Sequence, residues 1–481
     1  MIDKNFIETQ IETIVEHSRT WIKILIVGAV IAISVLLAIV STVDVKLLLL
    51  IPIAIAGCGG VLFLLRQPAW GVVGLIVASS LVPSFLGDGQ LRNISPAIML
   101  EGLLFGLWIL DMVARQRHIH WVPSRPNLPL ALFLITGVIA LINGQINYYY
   151  VTKLAPITAQ ISAFGLFVLS AIAFWLVSNR FPSPRWLVIT VWLFLGLSSV
   201  YIFGRLIPPL KPMIFRTFQY GFGDASLFWT WLAAMTTSQL LLNKQLGQRW
   251  RIGLGALLAA SLYIALGEAY SWKSGWLPAL ITIAAIIFVG FPRYRQYAVL
   301  MGMVVLVVGF SQISGAVTGE EDYSILTRVE ASSLILKIVK ANPIIGLGPA
   351  NYYWYTPLFP IQGYRVQFNS HNNYIDILAQ TGLVGLGLFI WFAVELGRLA
   401  WRLKDTVPQG FPRAFVIGTF GGLIGTLASG ILGDWFIPFV YNVGYVGFRS
   451  SILFWMFSGG LVVLEQTYLK REDIKPVIVK P

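Results

Sequence analysis

The chain has 481 residues, of which 57% are hydrophobic and 11% are charged, and its mean hydropathy is +0.76. Soluble domains carry about 25% charged residues, so this composition excludes a soluble globular protein. The net charge of +13 reflects 34 Lys and Arg against 21 Asp and Glu. In a membrane protein, basic cytoplasmic loops explain such an excess better than nucleic-acid binding does.

The first 20 residues do not resemble a cleavable signal peptide, because they carry Asp3, Glu8, Glu12 and Glu16. Their apolar residues instead recur near helical spacing. We predict a short amphipathic cytoplasmic helix over residues 1–20 that lies on the membrane surface.

Hydrophobic stretches of about 20 residues then recur, each long enough to cross a hydrocarbon core of about 30 Å as a helix. We predict an all-α, polytopic membrane bundle of about fourteen transmembrane helices. Helices 1–11 occupy residues 21–314, helices 12–14 occupy residues 373–468, and residues 469–481 form a cytoplasmic tail. The individual spans are expected near residues 21–42, 47–65, 69–86, 94–114, 128–146, 155–178, 186–204, 226–243, 252–268, 274–291, 297–314, 373–397, 414–432 and 449–468.

The basic residues predict the orientation, because cytoplasmic loops are enriched in Lys and Arg. Placing both termini in the cytoplasm puts most of the basic residues on that side. The inside connections then hold Arg115, Arg117 and Arg125; Arg180 and Arg185; Lys244, Arg249 and Arg251; Arg293 and Arg295; Arg398, Arg402, Lys404 and Arg413; and the tail from Lys470 and Arg471.

Two predicted outer connections are basic against this rule. Residues 205–225 hold Arg205, Lys211 and Arg216, and the longer connection, residues 315–372, holds Arg328, Lys337, Lys340 and Arg365. Because a structureless loop of that length is unusual, the 315–372 loop should be partly helical and functional. We predict an interfacial helix over residues 325–340, with Ile325, Val329, Leu336 and Val339 on one face.

The aromatic run Tyr352, Tyr353, Trp354 and Tyr355 follows in the same loop. It is typical of an interfacial aromatic belt, and a sugar-stacking surface is the alternative.

Of the four histidines, only His371 falls on the predicted outer side. Ser370 or Asn372 could cap the helix that follows and leave the imidazole at its mouth. The side chain could then act as a general base, or be an interfacial histidine with ordinary hydrogen bonds. His118 and His120 indicate a solvated loop, because no Cys or carboxylate cluster completes a metal site around them. The sequence also lacks a phosphate-cradling glycine loop.

Two stretches carry a family resemblance: NPIIGLGPANYY at 342–353 and SHNNYIDILAQTGLVGLGLFIWF at 370–392. Together they resemble the signature of the O-antigen ligase and O-antigen polymerase (Wzy_C-type) superfamily of GT-C-like membrane glycosyltransferases. Arg328 fits the basic residue that this family has ahead of the Asn-Pro segment. In the passage where the family usually has arginine, this chain reads YSWKSGW, so Lys273 takes that place.

The resemblance implies an enzyme of the bacterial cytoplasmic (inner) membrane whose active site is extracytoplasmic. Its donor would be a glycan linked to undecaprenyl pyrophosphate, and its acceptor a sugar hydroxyl on another glycan or lipid carrier. Transfer would invert the anomeric centre and need no metal and no other cofactor. Whether the enzyme is a polymerase or a ligase, or transfers glycans to protein, stays open, with a slight preference for a polymerase.

The resemblance also implies roles for particular residues. His371 would be the base and Arg328 a catalytic cation, while Lys273 and one of Arg205, Lys211 and Arg216 would bind the pyrophosphate. Each cation could instead be an interfacial anchor for lipid headgroups.

Acidic residues near the membrane are costly and therefore suggest a role. Asp376 is a secondary candidate that could orient His371 or a basic partner, and Glu268 and Asp434 lie at predicted outer span ends.

Two other classes of function compete with the transferase. A transporter or flippase of lipid-linked glycan or small anions would also be a multi-spanning bundle. The spans, however, contain few ionisable residues and no clear repeat of broken helices. A structural membrane protein would not need the long outer loop.

Overall fold

The computed structural model describes residues 57–81, 94–118, 120–218, 222–269, 272–304 and 323–469. The chain divides into two compact units, Met1–Gln67 and Pro68–Pro481. The first contributes a helix at Gly57–Arg66, and the remaining description concerns the second unit. The amphipathic helix predicted at 1–20, the span at 21–42 and tail residues 470–481 lie outside the described residues.

The described part of the second unit is helical, with one isolated bridge between Ile361 and Tyr364. Three short π-helical turns, Asp111–Gln116, Ile264–Glu268 and Glu465–Leu469, each continue the α-helix that precedes them. In chain order the helices are α1 Pro68–Leu81, α2 Pro96–Leu110, α3 Asn127–Asn143, α4 Ile157–Arg180, α5 Arg185–Leu206, α6 Lys211–Thr217, α7 Ser226–Leu242, α8 Gln248–Tyr263, α9 Lys273–Gly290, α10 Tyr323–Val339, α11 Asn351–Tyr355, α12 Asn373–Thr406, α13 Phe411–Leu432 and α14 Gly444–Leu464.

Among the described residues, eight helices are long and apolar enough to cross a membrane, or up to nine if a bent pair counts as one span. The chain is therefore an all-helical membrane protein, but the predicted count of about fourteen is not confirmed. The predicted spans near 47–65 and 297–314 are only partly described. Helices α1, α3 and α7 also coincide with predicted spans, but they are not among the eight, and residues 82–86 of the span predicted at 69–86 lie outside the described residues.

Small residues let the helices of the bundle approach closely. Helix α14 is the most enclosed of the candidate spans, because 94% of the residues in its most apolar stretch are buried inside the protein. A Cβ added at Gly459 would lie 2.5 Å from the Phe174 carbonyl oxygen of α4. On α13, a Cβ at Gly425 would lie 2.9 Å from the Pro278 carbonyl oxygen of α9. Apolar side chains gain little from burial against lipid, so this close packing is a main source of helix association.

Helix α12 is interrupted near its start, at Gly382, where the backbone has φ 69° and ψ −172°. The loop before α11 enters the interruption. The Leu383 amide donates to the Pro343 carbonyl at 2.8 Å, and the Leu347 amide donates to the Ala379 carbonyl at 2.9 Å. The loop therefore supplies partners for backbone groups that the broken helix leaves unpaired.

The hydrogen-bonded contact between this loop and the break in α12, which we name the Gly382 clamp, depends on glycine. A Cβ at Gly382 would lie 2.0 Å from the Ile344 carbonyl oxygen, and one at Gly346, where φ is 84°, would lie 2.5 Å from the Gly382 nitrogen. Both positions combine positive φ with direct backbone contact, which a larger residue cannot reproduce. The two stretches that carry the family resemblance are thus interlocked, and they fix the first turns of α12.

Helix α10 overlaps residues 325–340, where we predict an interfacial helix. Val329 and Leu336 are 51% and 44% exposed. Tyr149, Tyr353, Tyr355 and Phe359 are among the aromatic residues that pack on the same side of the helix. They bury another stripe, which consists of Ala331, Leu334, Ile335, Ile338 and Val339.

The aromatic run at 352–355 forms part of a buried cluster. Tyr352 and Tyr355 are fully buried, so neither of them is an interfacial belt residue or an open sugar platform. The Tyr352 ring stacks on Phe439 with centroids 4.9 Å apart, and Tyr353 stacks on Tyr441 at 4.5 Å. These contacts attach the 315–372 loop to the connection between α13 and α14, residues 433–443, which we name the Asp434 connection.

Candidate functional site

His371 lies on a tight turn immediately before α12, which we name the His371 turn (residues 370–373). Its φ of 48° is in the left-handed region, which non-glycine residues seldom adopt. The Ser370 Oγ accepts from the Asn372 amide at 2.9 Å. Asn372 is the helix cap, since its Oδ1 accepts from the amides of Tyr374 and Ile375 at 3.0 and 3.3 Å. A strained conformation that its surroundings maintain is typical of functional sites.

The His371 turn is fastened to the Asp434 connection by Asn373. Its Nδ2 donates to the Ile437 carbonyl at 2.6 Å, and its Oδ1 accepts from the Phe436 amide at 3.0 Å. Asn373 is fully buried, so breaking either bond would leave a buried polar group unpaired. The two segments are therefore held as one frame around His371.

The imidazole is connected to a carboxylate through an amide. The Asn442 Nδ2 lies 3.4 Å from His371 Nδ1 and donates to Asp434 Oδ1 at 2.7 Å. Asp434 Oδ2 accepts from the Phe439 amide at 2.8 Å. Because an amide nitrogen only donates, this arrangement favours the neutral tautomer with a lone pair on Nδ1 and the hydrogen on Nε2.

The surroundings shift the pKa values of both groups. Burial lowers the pKa of the His371 imidazole below its ordinary value of 6.5; the charge of Asp434 opposes this shift, and the charge of Arg328 adds to it. Burial raises the pKa of the Asp434 carboxyl above its ordinary value, although the Phe439 amide, His371 and Asn442 oppose the rise. His371 is consequently neutral, and able to accept a proton, over a wider pH range than an exposed histidine.

Asp376 forms no hydrogen bond with His371 and instead bonds to Ser370 and Tyr352. Its Oδ1 accepts from Ser370 Oγ at 2.7 Å and from the Tyr352 hydroxyl at 2.5 Å. Asp376 lies on the first turn of α12 and is almost fully buried. Asp376 therefore stabilises the His371 turn through Ser370 and links the turn to the aromatic cluster through Tyr352.

Arg328 lies near His371. Its Nη1 donates to the carbonyl of Leu432, the last residue of α13, at 3.1 Å. Asp434 follows two residues later, and the guanidinium charge acts on the pKa of His371. The structure thus brings together the two residues predicted as catalytic.

Lys273 is the first residue of α9, and the residue before it, Trp272, contacts the Asp434 connection. The Trp272 ring contacts the Trp435 ring edge to face, with centroids 6.1 Å apart. Trp435 follows Asp434 in the Asp434 connection. The start of α9 therefore borders the frame that holds His371.

Arg205 and Lys211 form an ion-pair group with Glu268, which we name the Glu268 cluster. Arg205 Nε and Lys211 Nζ lie 3.1 and 3.2 Å from Glu268 Oε2. Glu268 ends the helical segment five residues before Lys273. Arg216, on α6, is exposed and forms no ion pair with a described residue.

Three contributors, Asp434, Asn442 and Tyr352, are not among the predicted site residues. Asp434 was noted only for its place at a span end, and Asn442 gave no signal, because an isolated asparagine in a connection has no spacing or motif. Tyr352 was interpreted only as part of an aromatic run. Within the described ranges, no group of three or more His, Cys, Asp or Glu side chains could hold a metal ion.

Comparison with known families agrees with this geometry. Residues 246–390 match a family model described as O-antigen ligase (Wzy_C). This part of the chain is therefore similar to O-antigen ligases. This confirms the resemblance seen in the sequence and supports an O-antigen ligase or polymerase type of function. The matched domain contains Lys273, Arg328, His371 and Asp376, whereas Asp434 and Asn442 follow it in the chain. No curated protein matches the chain.

Proposed function

We propose that the protein is an inverting glycosyltransferase that moves a glycan from undecaprenyl pyrophosphate to a sugar hydroxyl. The observation that carries the proposal is the His371 turn: a histidine with an available lone pair, held beside Arg328 in a matched O-antigen ligase domain. The proposed reaction requires no metal and no other cofactor, as the resemblance implies.

In the proposed step, the acceptor hydroxyl oxygen attacks the anomeric carbon of the donor. A new glycosidic C–O bond forms as the C–O bond to pyrophosphate breaks, and the leaving pyrophosphate takes the electron pair. The hydroxyl proton passes to His371 Nδ1. The Asn442 contact at 3.4 Å is long enough to be displaced, and the negative charge of Asp434 favours the imidazolium that forms.

The cations would neutralise charge that grows on the pyrophosphate. Arg328 suits this role because a guanidinium stays charged and can bind two phosphate oxygens. Lys273 would supply a compact charge at the start of α9. Arg205 and Lys211 would have to exchange Glu268 for phosphate, and their partial exposure makes such an exchange inexpensive.

The proposed location is the bacterial cytoplasmic membrane, with both termini in the cytoplasm and the His371 turn on the outer side. The positive-inside pattern of the sequence supports this orientation. The partners would be the lipid-linked glycan donor, a glycan or lipid-linked sugar acceptor and membrane lipids. The family match does not favour the transporter alternative.

The test is glycan transfer by the purified full-length protein. Wild type and the variants His371→Gln, Arg328→Gln and Lys273→Gln are incubated with lipid-pyrophosphate-linked glycan and a panel of acceptors. Removing a general base should lower the rate by about 10² to 10⁴ fold. His118→Gln is the matched control, because it removes another histidine that lies in a separate connection.

Each outcome decides between named functions. A product on a repeat-unit acceptor identifies a polymerase, and a product on a lipid A core identifies a ligase. If His371→Gln binds donor and remains folded but transfers at the wild-type rate, His371 is not the base. If no acceptor gives product while glycan crosses proteoliposomes, the transporter alternative replaces the transferase.

A further inference from the structure

A second polar site lies far from His371, towards the other end of α12. A cavity of about 390 Å³ is lined by Phe420 of α13 and by six residues of α12: Glu395, Gly397, Arg398, Leu399, Trp401 and Arg402. These residues lie more than twenty positions along α12 from the His371 turn, a distance of roughly 30 Å on a helix. Arg125 and Glu465, from two further segments, also line the cavity.

The cationic part of the lining consists of three arginines. Arg125 and Arg402 are exposed, and neither forms an ion pair with any residue that the structure describes. Arg398 pairs with Glu395 at 2.7 Å and keeps 62% of its side chain exposed. Three guanidinium groups around one cavity form a site for phosphate oxygens.

The acidic part of the lining is buried. Glu395 is 6% exposed, and its Oε1 accepts from Arg398 Nη1 at 2.7 Å and from Trp391 Nε1 at 3.3 Å. Its Oε2 is buried and has no hydrogen-bond donor among the described residues. Glu465 is also buried, and its Oε2 accepts from Ser124 Oγ at 2.6 Å. A buried carboxylate oxygen without a donor is costly unless a ligand supplies one.

A ligand for this cavity must therefore carry an anionic phosphate and a cationic hydrogen-bond donor. We propose that the cavity binds the headgroup of phosphatidylethanolamine, with its phosphate on Arg125, Arg398 and Arg402 and its ammonium on Glu395 Oε2. Basic pockets between transmembrane helices are known to take phospholipid headgroups. Trp401 and Phe420 line the same cavity and provide apolar surface for the glycerol backbone and upper acyl chains.

The mixed charge of the lining selects among phospholipids. A choline headgroup has the same charges, but its trimethylammonium has no N–H to donate to Glu395. A glycerol headgroup has only neutral hydroxyl groups, so it brings no cationic donor to Glu395 Oε2. The proposal does not rest on the transfer chemistry, because none of these residues belongs to the His371 frame.

Native mass spectrometry of the full-length protein tests the proposal. The protein is purified in detergent and offered equal amounts of phosphatidylethanolamine, phosphatidylcholine and phosphatidylglycerol with identical acyl chains. Wild type should retain phosphatidylethanolamine preferentially. Replacing any one lining arginine, as in Arg125→Gln or Arg402→Gln, should weaken the retention of phosphatidylethanolamine about fivefold. Arg249→Gln and Arg295→Gln are matched controls, since they remove exposed arginines outside the cavity.

The variant Glu395→Gln distinguishes recognition of the ammonium group from recognition of the phosphate. It should abolish the preference for ethanolamine over choline while phospholipid retention through the arginines continues. The wild-type comparison of the three lipids needs no variant, so it decides even if Glu395→Gln fails to fold. Equal retention of ethanolamine and choline lipids, stronger retention of phosphatidylglycerol, or arginine variants that match their controls would each overturn the proposal.

Discussion

The His371 turn and the Glu268 cluster both place charged or titratable groups near the start of α9 and α12, but they are built differently. The turn is held by buried amide and hydroxyl bonds to the Asp434 connection and to Asp376 of α12, and its backbone is strained at His371. The Glu268 cluster consists of ion pairs whose side chains keep 13%, 42% and 31% of their surface exposed at Arg205, Lys211 and Glu268.

This contrast separates a fixed group from exchangeable ones. Buried polar networks define one geometry, because each lost bond leaves an unpaired group. Partly exposed ion pairs contribute little and rearrange easily. A transferase benefits from both, since the base must stay in place while the cations accept and release a large anionic donor.

The largest effect is expected from a substitution in the Gly382 clamp. Gly382→Ala should destabilise the protein by about 3 kcal/mol or more, because it adds positive-φ strain to a direct overlap with the backbone. The Cβ would meet the Ile344 carbonyl oxygen at 2.0 Å. Thermal unfolding in detergent measures the change.

Gly387→Ala is the matched control on the same helix, since a Cβ there meets nothing within 4 Å. The two variants should differ clearly in unfolding temperature. Equal stability would show that the break at Gly382 does not constrain α12.

A smaller effect, on rate and pH dependence together, is expected from Asp434→Asn. The imidazolium that forms during transfer would lose a charge partner, and kcat/KM should fall about tenfold, as for a hydrogen bond to a charged group. The charge of Asp434 raises the pKa of His371, so its removal should lower that pKa. Since the base must be neutral, activity is lost as the pH falls through this pKa, and the acid limb should move to lower pH.

Arg328→Gln gives the opposite sign in the same experiment. The charge of Arg328 lowers the pKa of His371, so the acid limb of kcat/KM should move to higher pH. In the wild type, burial places this limb below the ordinary imidazole value of about 6.5. Profiles that shift in the same direction in both variants would mean that His371 is not the group being titrated.

The sequence allowed much of this arrangement to be predicted where the signal is local. Hydropathy predicted a helical membrane protein, although the count of about fourteen spans is not confirmed. Spacing predicted a helix where α10 lies. Asn372 was one of two expected caps, and the structure shows it as the cap. The motif at 370–392 also drew attention to His371.

Contacts between distant segments could not be predicted in this way. Asn442 lies 71 residues along the chain from His371. The two residues meet where Asn373 fastens the His371 turn to the Asp434 connection. The buried stripe of α10 depends on aromatic residues from other loops, which hydropathy within the helix does not contain. Similarly, Tyr352 is buried because it stacks on Phe439.

The smallest effect is expected in the Glu268 cluster. Glu268→Gln frees Arg205 and Lys211 from their shared carboxylate, so they should bind an anionic donor slightly better. The donor KM should fall by up to about fivefold at low salt and change less at high salt, because these pairs are partly exposed and screened.

The matched control is Asp405→Asn, which removes an exposed ion pair with Lys404 at the opposite end of α12. It should leave the donor KM unchanged. A salt-dependent fall that is specific to Glu268→Gln would mean that Glu268 competes with the donor for the two cations. A rise in KM would instead mean that Glu268 holds Arg205 and Lys211 in the binding geometry, and the Glu268 cluster would then belong to the fixed part of the site.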